Sequence, residues 1–303
     1  MTTRATPQIG MVGAGVMGLP LARRLTDAGH GPLVWLRSEA KLQVLKAEGL
    51  AATTERAELR GRDVVVSCLL DEHAVREVYF GSDGLASLLD PGALIVEHAT
   101  LAPEFVVETA AELAKLGIRF ADAPVSGGPA GAEQGTLSAM VGCVSSDFDE
   151  IEALLQPTCA SVVRAGPVGA GETLKLVNQF LVAAHSVAAA DAAALLRQAG
   201  VAPDVALQAL SGGWAGSRRL ELQLVDSMTG EFAPDGAGLT KFEKDLRHVH
   251  ELVASSGVRS ALLPSIEASW FAASGAHPDA SFAALVTSSL PDTAPVTDPN
   301  VTE

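Results

Sequence analysis

The chain has 303 residues, enough for about two domains. Its formal charge of −15 argues against a protein that binds nucleic acid through a broad basic face. Hydrophobic residues make up 48% and charged residues 19%, which fits a globular core rather than a disordered chain.

Cysteine content and apolar segments indicate where the protein works. Cys68, Cys143 and Cys159 are too few and too scattered for a disulfide framework or a metal site, so we expect reduced thiols in a cytoplasmic protein. The apolar stretch 9–21 contains four glycines and does not resemble a signal peptide. The alanine-rich run 181–196 is interrupted by polar residues, so we expect no membrane span.

Short apolar runs alternate with amphipathic segments through the first half of the chain. Strands are predicted at residues 8–12, 33–36, 63–69 and 93–97, and helices at 19–28, 72–79 and 103–116. Strands joined by helices predict a mostly parallel, doubly wound α/β sheet with right-handed crossovers. We expect residues 119–121, 138–141 and 161–163 to extend this sheet.

The pattern changes after Arg164. The glycine-rich segment 166–171 predicts a hinge, and residues 174–199 predict one long helix. Since this helix is mostly small and apolar, we expect it to be buried on most sides by later helices or by a second subunit. Further helices are predicted at 203–210, 218–228, 239–255 and 264–273, and no strand is evident among them.

A G-x-G-x-x-G motif lies directly between the first predicted strand and the first predicted helix. Gly13 permits a tight turn, Gly15 lets the backbone approach a pyrophosphate, and Gly18 lets helix and strand pack closely. With Val16 and Met17, these glycines place a helix N-terminus beside the phosphates. The motif predicts a dinucleotide site, and a glycine-rich turn without a ligand is the alternative.

The end of the second predicted strand bears on which dinucleotide binds. A carboxylate there would indicate NAD, because it accepts a hydrogen bond from the ribose 2′-hydroxyl. This chain has Arg37 and Ser38 instead, which can pair with a 2′-phosphate. The position therefore favours NADP(H). Glu39 would serve NAD(H) if the turn is shifted by one residue, so NAD(H) stays possible.

A serine followed by two glycines leaves the predicted sheet at the carboxyl end of a strand. Ser126, Gly127 and Gly128 present a hydroxyl and successive backbone N–H groups, an arrangement that suits a carboxylate. An ordinary proline- and glycine-rich turn has the same composition.

Lys175 lies near the start of the long predicted helix. Asn178 and Gln179 follow at helical spacing, so the three side chains can line a cleft between domains. An ammonium group there can give a proton to a carbonyl oxygen as hydride arrives and take it back in the oxidation. A surface lysine near a helix start is the alternative.

Taken together, these segments resemble the β-hydroxyacid dehydrogenase family, which includes 3-hydroxyisobutyrate dehydrogenase, tartronate semialdehyde (2-hydroxy-3-oxopropionate) reductase and L-threonate dehydrogenase. The resemblance spans residues 9 to about 286 and rests on blocks 13–18, 122–128, 166–179 and 244–246. It implies NAD(P)-dependent hydride transfer to or from a small β-hydroxyacid or semialdehyde carboxylate, in a homodimer or homotetramer. It also implies a Rossmann-type domain joined by a long helix to an all-helical domain.

We accordingly expect an NAD(P)-binding Rossmann-type domain at 1–165, an all-helical substrate and dimerisation domain at 166–290, and a disordered tail at 291–303. By the resemblance, Lys175 matches the family's catalytic lysine. Ser126, Gly127 and Gly128 match its substrate-carboxylate segment, and Asn178 matches a substrate-orienting amide.

The resemblance also implies cofactor contacts. Lys244 and Asp245 match a Lys-Asp block that closes over the nicotinamide side. Thr100 falls where the family has a serine or threonine near the cofactor, and Leu69 and Leu70 fall in a loop that lines it.

Some positions depart from the family pattern. Ala99 and Cys143 stand where the family often has serine and glycine, and Gln179 is more typical of tartronate semialdehyde reductase than of 3-hydroxyisobutyrate dehydrogenase. The choice of acid therefore stays open. An imine reductase-like NADPH enzyme and a non-catalytic NADP-binding protein are the alternatives, although Lys175 argues against the first. Asn178 argues against 6-phosphogluconate dehydrogenase, which needs a histidine there.

Overall fold

The computed structural model describes residues 7–234 and 238–290. The chain divides into two compact units, Met1–Lys175 and Leu176–Glu303. The domain boundary predicted at residue 165 stays a prediction, and the tail predicted to be disordered at 291–303 lies outside the described residues.

The first unit is built on one sheet. Its strands are β1 (Ile9–Val12), β2 (Leu33–Trp35), β3 (Ala52–Thr53), β4 (Val64–Ser67), β5 (Leu94–Glu97), β6 (Arg119–Asp122), β7 (Val125–Ser126), β8 (Leu137–Gly142) and β9 (Cys159–Gly166). The order is β3-β2-β1-β4-β5-β6-β8-β7, with β9 paired to β8. Strands β1 to β6 pair in parallel, and β8 runs antiparallel to β6 and β7. The predicted doubly wound, mostly parallel sheet is confirmed.

Helices flank this sheet and then form the second unit. They are α1 (Gly18–Asp27), α2 (Glu39–Ala47), α3 (Glu72–Phe80), α4 (Leu85–Leu88), α5 (Pro103–Ala114), α6 (Gly128–Gln134), α7 (Phe148–Leu155), α8 (Ala170–Gln198), α9 (Pro203–Ser211), α10 (Arg218–Thr229), α11 (Leu239–Ser256) and α12 (Leu263–Ala276). Short 3-10 turns lie at Arg56–Leu59, Ser145–Asp147 and Phe282–Ser288.

Strand β4 shows why the central strands are continuous apolar runs. Val64 and Val66 pack on one face of the sheet with Leu21 of α1, whereas Val65 packs on the other face with Leu113 of α5. Since both faces are covered by helices, every side chain of the strand is buried. Because β1, β4 and β5 pair in parallel, their carboxyl ends share one edge of the sheet.

Several short elements were not predicted. Strands β3 and β7 have two residues each, and α2, α6 and α7 have at most nine. Segments of this length carry too few apolar repeats for a periodic signal.

The second unit is helical, with no strand among its described residues. An aromatic cluster anchors it: the ring of Trp270 lies 4.6 Å from that of Phe242 and 4.7 Å from that of Phe282. Trp270 is fully buried, and its indole N–H donates to the carbonyl oxygen of Leu239 at 3.1 Å. The predicted all-helical character of this part of the chain is confirmed.

Helix α8 begins in the first unit and continues into the second. By length and composition alone it could cross a membrane, a property that core helices of water-soluble proteins share, and 39% of its most apolar stretch is buried. Leu174, Val177, Leu181 and Leu195 are exposed along it. The predicted burial on most sides by later helices or by a second subunit stays a prediction.

Candidate active site

The glycine motif forms a turn between β1 and α1. Gly13 has φ +90°, and a Cβ on it would overlap the carbonyl oxygen of Cys68. A Cβ on Gly18 would overlap the carbonyl oxygen of Gly13, so helix and strand are packed as closely as the motif predicts. A Cβ on Gly15, by contrast, would meet no atom within 4 Å. This open space beside a helix N-terminus fits the pyrophosphate of a dinucleotide.

Arg37 follows β2 at the same edge of the sheet. Its side chain is 79% exposed, and its guanidinium lies 3.9 Å from the carboxylate of Glu77. Arg56, which the sequence did not single out, also pairs with Glu77, at 3.2 Å, and stacks over the ring of Trp35 at 4.4 Å. Two guanidinium groups thus share one carboxylate where the adenosine end of a dinucleotide is expected.

Ser38 has a structural role in this loop. Its Oγ accepts a hydrogen bond from the backbone N–H of Lys41 at 3.4 Å and caps α2, whose first residue is Glu39. The cap uses a lone pair of the hydroxyl oxygen, and the hydroxyl hydrogen can still be donated to a ligand.

The loops with Leu69, Leu70 and Thr100 follow the neighbouring parallel strands β4 and β5. Ligands of doubly wound sheets bind outside the carboxyl ends of the strands, and both loops lie at that edge. Leu70 is strongly exposed, while Thr100 is partly buried.

A buried carboxylate that the sequence analysis missed joins these two loops. Glu97, the last residue of β5, accepts hydrogen bonds from Ser67 Oγ and the Tyr79 hydroxyl at 2.7 Å and from the Ala99 N–H at 2.8 Å. A charged residue at the end of an otherwise apolar strand was the available signal. Burial, reinforced by Glu97, raises the pKa of the Cys68 thiol to about 12, which makes it a poor nucleophile.

Lys175 meets the serine-glycine segment. Lys175 is 7% exposed, and its Nζ donates to the carbonyl oxygen of Val125 at 2.9 Å. Ser126 is the next residue and ends β7, and Gly127 and Gly128, both with positive φ, lead into α6. The lysine and the proposed carboxylate segment, about fifty residues apart in sequence, therefore lie together.

Asp122 lies just upstream of that segment, at the end of β6. Its buried carboxylate accepts hydrogen bonds from the backbone N–H groups of Gly169 and Glu172, both at 2.8 Å. Burial raises the pKa of Asp122 to about 6, although these N–H donors act in the opposite direction.

The four predicted residues of the second unit form one polar chain. Asn178 Nδ2 donates to Gln179 Oε1 at 2.9 Å, and Gln179 Nε2 donates to Asp245 Oδ2 at 2.5 Å. Lys244 Nζ lies 3.3 Å from Asp245 Oδ1. Helices α8 and α11 thus bring these side chains together. Throughout the described part of the chain, no three His, Cys, Asp or Glu side chains gather as a metal site requires.

Comparison with known proteins assigns the chain to a family. Residues 8–166 match the family described as the NAD binding domain of 6-phosphogluconate dehydrogenase, and residues 169–288 match the NAD-binding domain of NADP-dependent 3-hydroxyisobutyrate dehydrogenase. The 2-hydroxy-3-oxopropionate reductase of Escherichia coli K12 is 33% identical over 239 residues, which are 79% of this chain and 82% of the relative. This chain belongs to the β-hydroxyacid dehydrogenase family.

Two further comparisons agree. The NAD-dependent L-serine dehydrogenase of Pseudomonas aeruginosa is 35% identical over 213 residues, 69% of this chain and 72% of the relative. The crystal structure of 3-hydroxyisobutyrate dehydrogenase from Salmonella typhimurium gives a TM-score of 0.82 at 29% identity, covering 92% of this chain and 99% of that one. The predicted resemblance is confirmed, and this β-hydroxyacid dehydrogenase is an NAD(P)-binding oxidoreductase.

Proposed function

We propose that this β-hydroxyacid dehydrogenase interconverts a short hydroxyacid and its carbonyl form with NADP(H), using Lys175 as general acid and base. The hydrogen bond from Lys175 Nζ to the Val125 carbonyl carries the proposal, because it places a buried ammonium next to Ser126. A working homodimer or homotetramer in the cytoplasm is part of the same proposal.

The substrate class follows from how close the two groups are. Ser126 and the N–H groups of Gly127 and Gly128 would hold the substrate carboxylate, and Lys175 would meet the reacting oxygen. Since Lys175 contacts the residue directly before Ser126, we expect a short carbon chain between carboxylate and reacting oxygen. Two relatives are named for small acids of this kind, 2-hydroxy-3-oxopropionate and L-serine.

The proton chemistry is assigned to Lys175. When bound, the nicotinamide cofactor supplies or accepts the hydride. In the reduction, Lys175 Nζ exchanges the Val125 carbonyl for the substrate oxygen, stabilises the negative charge that develops there and gives it a proton. In the oxidation, Lys175 takes the proton from the hydroxyl. Asn178, one helical turn later on α8, would orient the substrate.

The cofactor is assigned from the turn residues and loops. Gly15 leaves room for the pyrophosphate, Gly13 and Gly18 allow the close turn around it, and Val16 and Met17 directly precede α1. Thr100 and the Leu69-Leu70 loop would contact the nicotinamide side, together with Lys244 and Asp245.

NADP(H) is favoured because Arg37 is exposed and its ion pair with Glu77 is long. Such surface pairs are worth little, so a 2′-phosphate replaces the carboxylate at small cost.

The central experiment measures turnover of NADPH with a panel of short aldehyde and keto acids. Lys175→Ala is expected to reduce kcat by about 10²–10⁴-fold, the contribution of a positioned acid, while NADPH binding is kept. Lys175→Arg is the matched control, because it keeps the charge but does not release a proton at neutral pH. Unchanged turnover in Lys175→Ala would remove the lysine from the mechanism. NADPH binding without turnover of any carboxylate would favour an imine reductase-like or non-catalytic protein.

Cofactor choice is tested separately with Arg37→Asp. We expect binding of NADPH to weaken far more than binding of NADH, because only NADPH carries the 2′-phosphate. Arg60→Asp is the charge-matched control, since Arg60 is exposed and precedes β4 at the opposite edge of the sheet. Equal losses for the two cofactors would show that Arg37 does not contact the 2′-phosphate.

A further inference from the structure

Asp122 caps a helix that begins far away in sequence. Gly169, just before α8, donates its N–H to Asp122 Oδ1, and Glu172, in the first turn, donates its N–H to Oδ2, both at 2.8 Å. The first N–H groups of a helix have no partner within it, and the positive end of the helix dipole favours an anion. The carboxylate therefore fastens the start of α8 to the end of β6.

Two glycines lie close against this carboxylate. A Cβ on Gly142, at the end of β8, would lie 2.7 Å from Asp122 Oδ2, and a Cβ on Gly171 would lie 2.7 Å from the same atom. A side chain at either glycine would overlap the carboxylate, so the backbone of both segments lies directly against it. Strand β6, strand β8 and helix α8 all meet at this one group.

The two chain segments that Asp122 joins are those that carry the site. Ser126 follows Asp122 by four residues, and Lys175 follows Glu172 by three, which is about one helical turn. The hydrogen bond from Lys175 to Val125 is a second connection between the two segments.

We infer that Asp122 is a positioning residue, whose carboxylate sets the start of α8 so that Lys175 Nζ lies beside the Ser126 segment. This inference rests on the proposed role of Lys175. Asp122 itself does not touch the substrate.

Asparagine is the informative replacement because it has nearly the same shape. Its amide offers one acceptor oxygen and one NH₂ group, which is a donor. One of the two backbone N–H groups, that of Gly169 or that of Glu172, would therefore face the NH₂ group instead of an acceptor. A backbone N–H cannot become an acceptor, and the start of α8 must shift. Since misplacement by about 1 Å can cost about 10²-fold in rate, we expect Asp122→Asn to lower kcat by about 10–100-fold. The affinity for NADPH is expected to stay unchanged, because the glycine turn is made by β1 and α1.

A double-mutant cycle tests whether Asp122 acts through Lys175. It compares kcat for the wild type, Asp122→Asn, Lys175→Ala and the double variant. We expect Asp122→Asn to slow the wild type but to have no further effect once Lys175 is alanine. Asp147→Asn is the matched control, because Asp147 is a buried carboxylate that pairs with Arg119 at the start of β6. The kcat of this control variant is expected to match that of the wild type.

The outcomes separate the two proposals. If Lys175→Ala is inactive but Asp122→Asn keeps wild-type kcat, the inference is overturned and the role of Lys175 stands. If the two effects multiply in the double variant, Asp122 acts independently of Lys175 and the inference is also overturned. Full activity of Lys175→Ala removes both proposals. Should Asp122→Asn fail to fold, Gly142→Ala displaces the carboxylate without changing its charge, because the three atoms nearest to a Cβ at Gly142 all belong to the Asp122 carboxyl group. The same non-additive loss of kcat is expected.

Discussion

Glu97 and Asp122 are partners in the register of β5 and β6, and each ends its strand as a buried carboxylate, yet their hydrogen bonds differ. The carboxylate of Asp122 accepts from the backbone N–H groups of Gly169 and Glu172. Glu97 accepts from two hydroxyls and one backbone N–H. The same chemical group at neighbouring positions is therefore held by two kinds of donor.

The difference decides what each carboxylate can do. A backbone N–H is a donor only and is fixed by its chain, so Asp122 determines where a helix begins. A hydroxyl rotates and can accept as well as donate, so the partners of Glu97 can adapt to a change. We therefore expect Asp122 to control site geometry, and Glu97 to join the loops after β4 and β5 with more tolerance.

The largest expected effect on stability is a pH dependence that comes from Asp122. Burial raises its pKa from 3.8 to about 6 in the folded protein, so the folded state binds this proton more tightly than the unfolded chain. Stability contributed by this group is complete below the unfolded pKa and is lost as pH rises towards 6, by about 3 kcal/mol. Asp122→Asn does not titrate. Between about pH 4 and pH 7, the wild type should therefore lose about 3 kcal/mol of unfolding free energy relative to the variant.

Urea unfolding across that pH range measures the shift. Burial lowers the pKa of His98 below its usual 6.5, which makes both proteins less stable as pH falls. That contribution has the opposite sign and cancels in the difference between the two proteins. A difference that does not change with pH would mean that Asp122 is not the buried acid described here.

The chain packs tightly around Asp122, and a methyl group added at Gly142 tests this packing. Gly142→Ala places a methyl group against the carboxylate, and overpacking of this kind costs about 2 kcal/mol. Gly275→Ala is the control, because Gly275 lies within α12 and an added Cβ meets nothing within 4 Å. Since alanine favours a helix, the control should unfold at slightly higher urea concentration than the wild type. Equal stability of Gly142→Ala and wild type would show that the carboxylate moves aside easily.

These two carboxylates also show what the sequence could and could not predict. The glycine turn at residues 13–18 was predictable, because its geometry depends on adjacent residues. The sheet was predictable because strands covered on both faces are continuous apolar runs. The donors to Asp122 come from 47 and 50 residues away and those to Glu97 from as far as 30, so local patterns do not contain them.

The candidate site divides in the same way. The proximity of Lys175 and the Ser126 segment was implied by the family resemblance and not by spacing, since it depends on the two-residue strand β7 and on the reversed strand β8. Arg56 was missed because it lies in a short 3-10 turn, where no periodic pattern marks it. A carboxylate at the end of an apolar strand is the one local signal that would have identified both Glu97 and Asp122.

The smallest expected effect is that of Glu97→Gln. The glutamine oxygen can accept from the Ala99 N–H, and its NH₂ group can donate to Ser67 or Tyr79 once that hydroxyl rotates. The Ala99 N–H keeps its acceptor, so we expect a loss of stability below about 1 kcal/mol and a kcat close to that of the wild type. Glu97→Ala is the matched control: it leaves the Ala99 N–H without its acceptor and should cost about 2 kcal/mol. If Glu97→Gln instead slowed turnover as much as Asp122→Asn, the hydroxyls would be as rigid as backbone donors, and the distinction between the two carboxylates would fail.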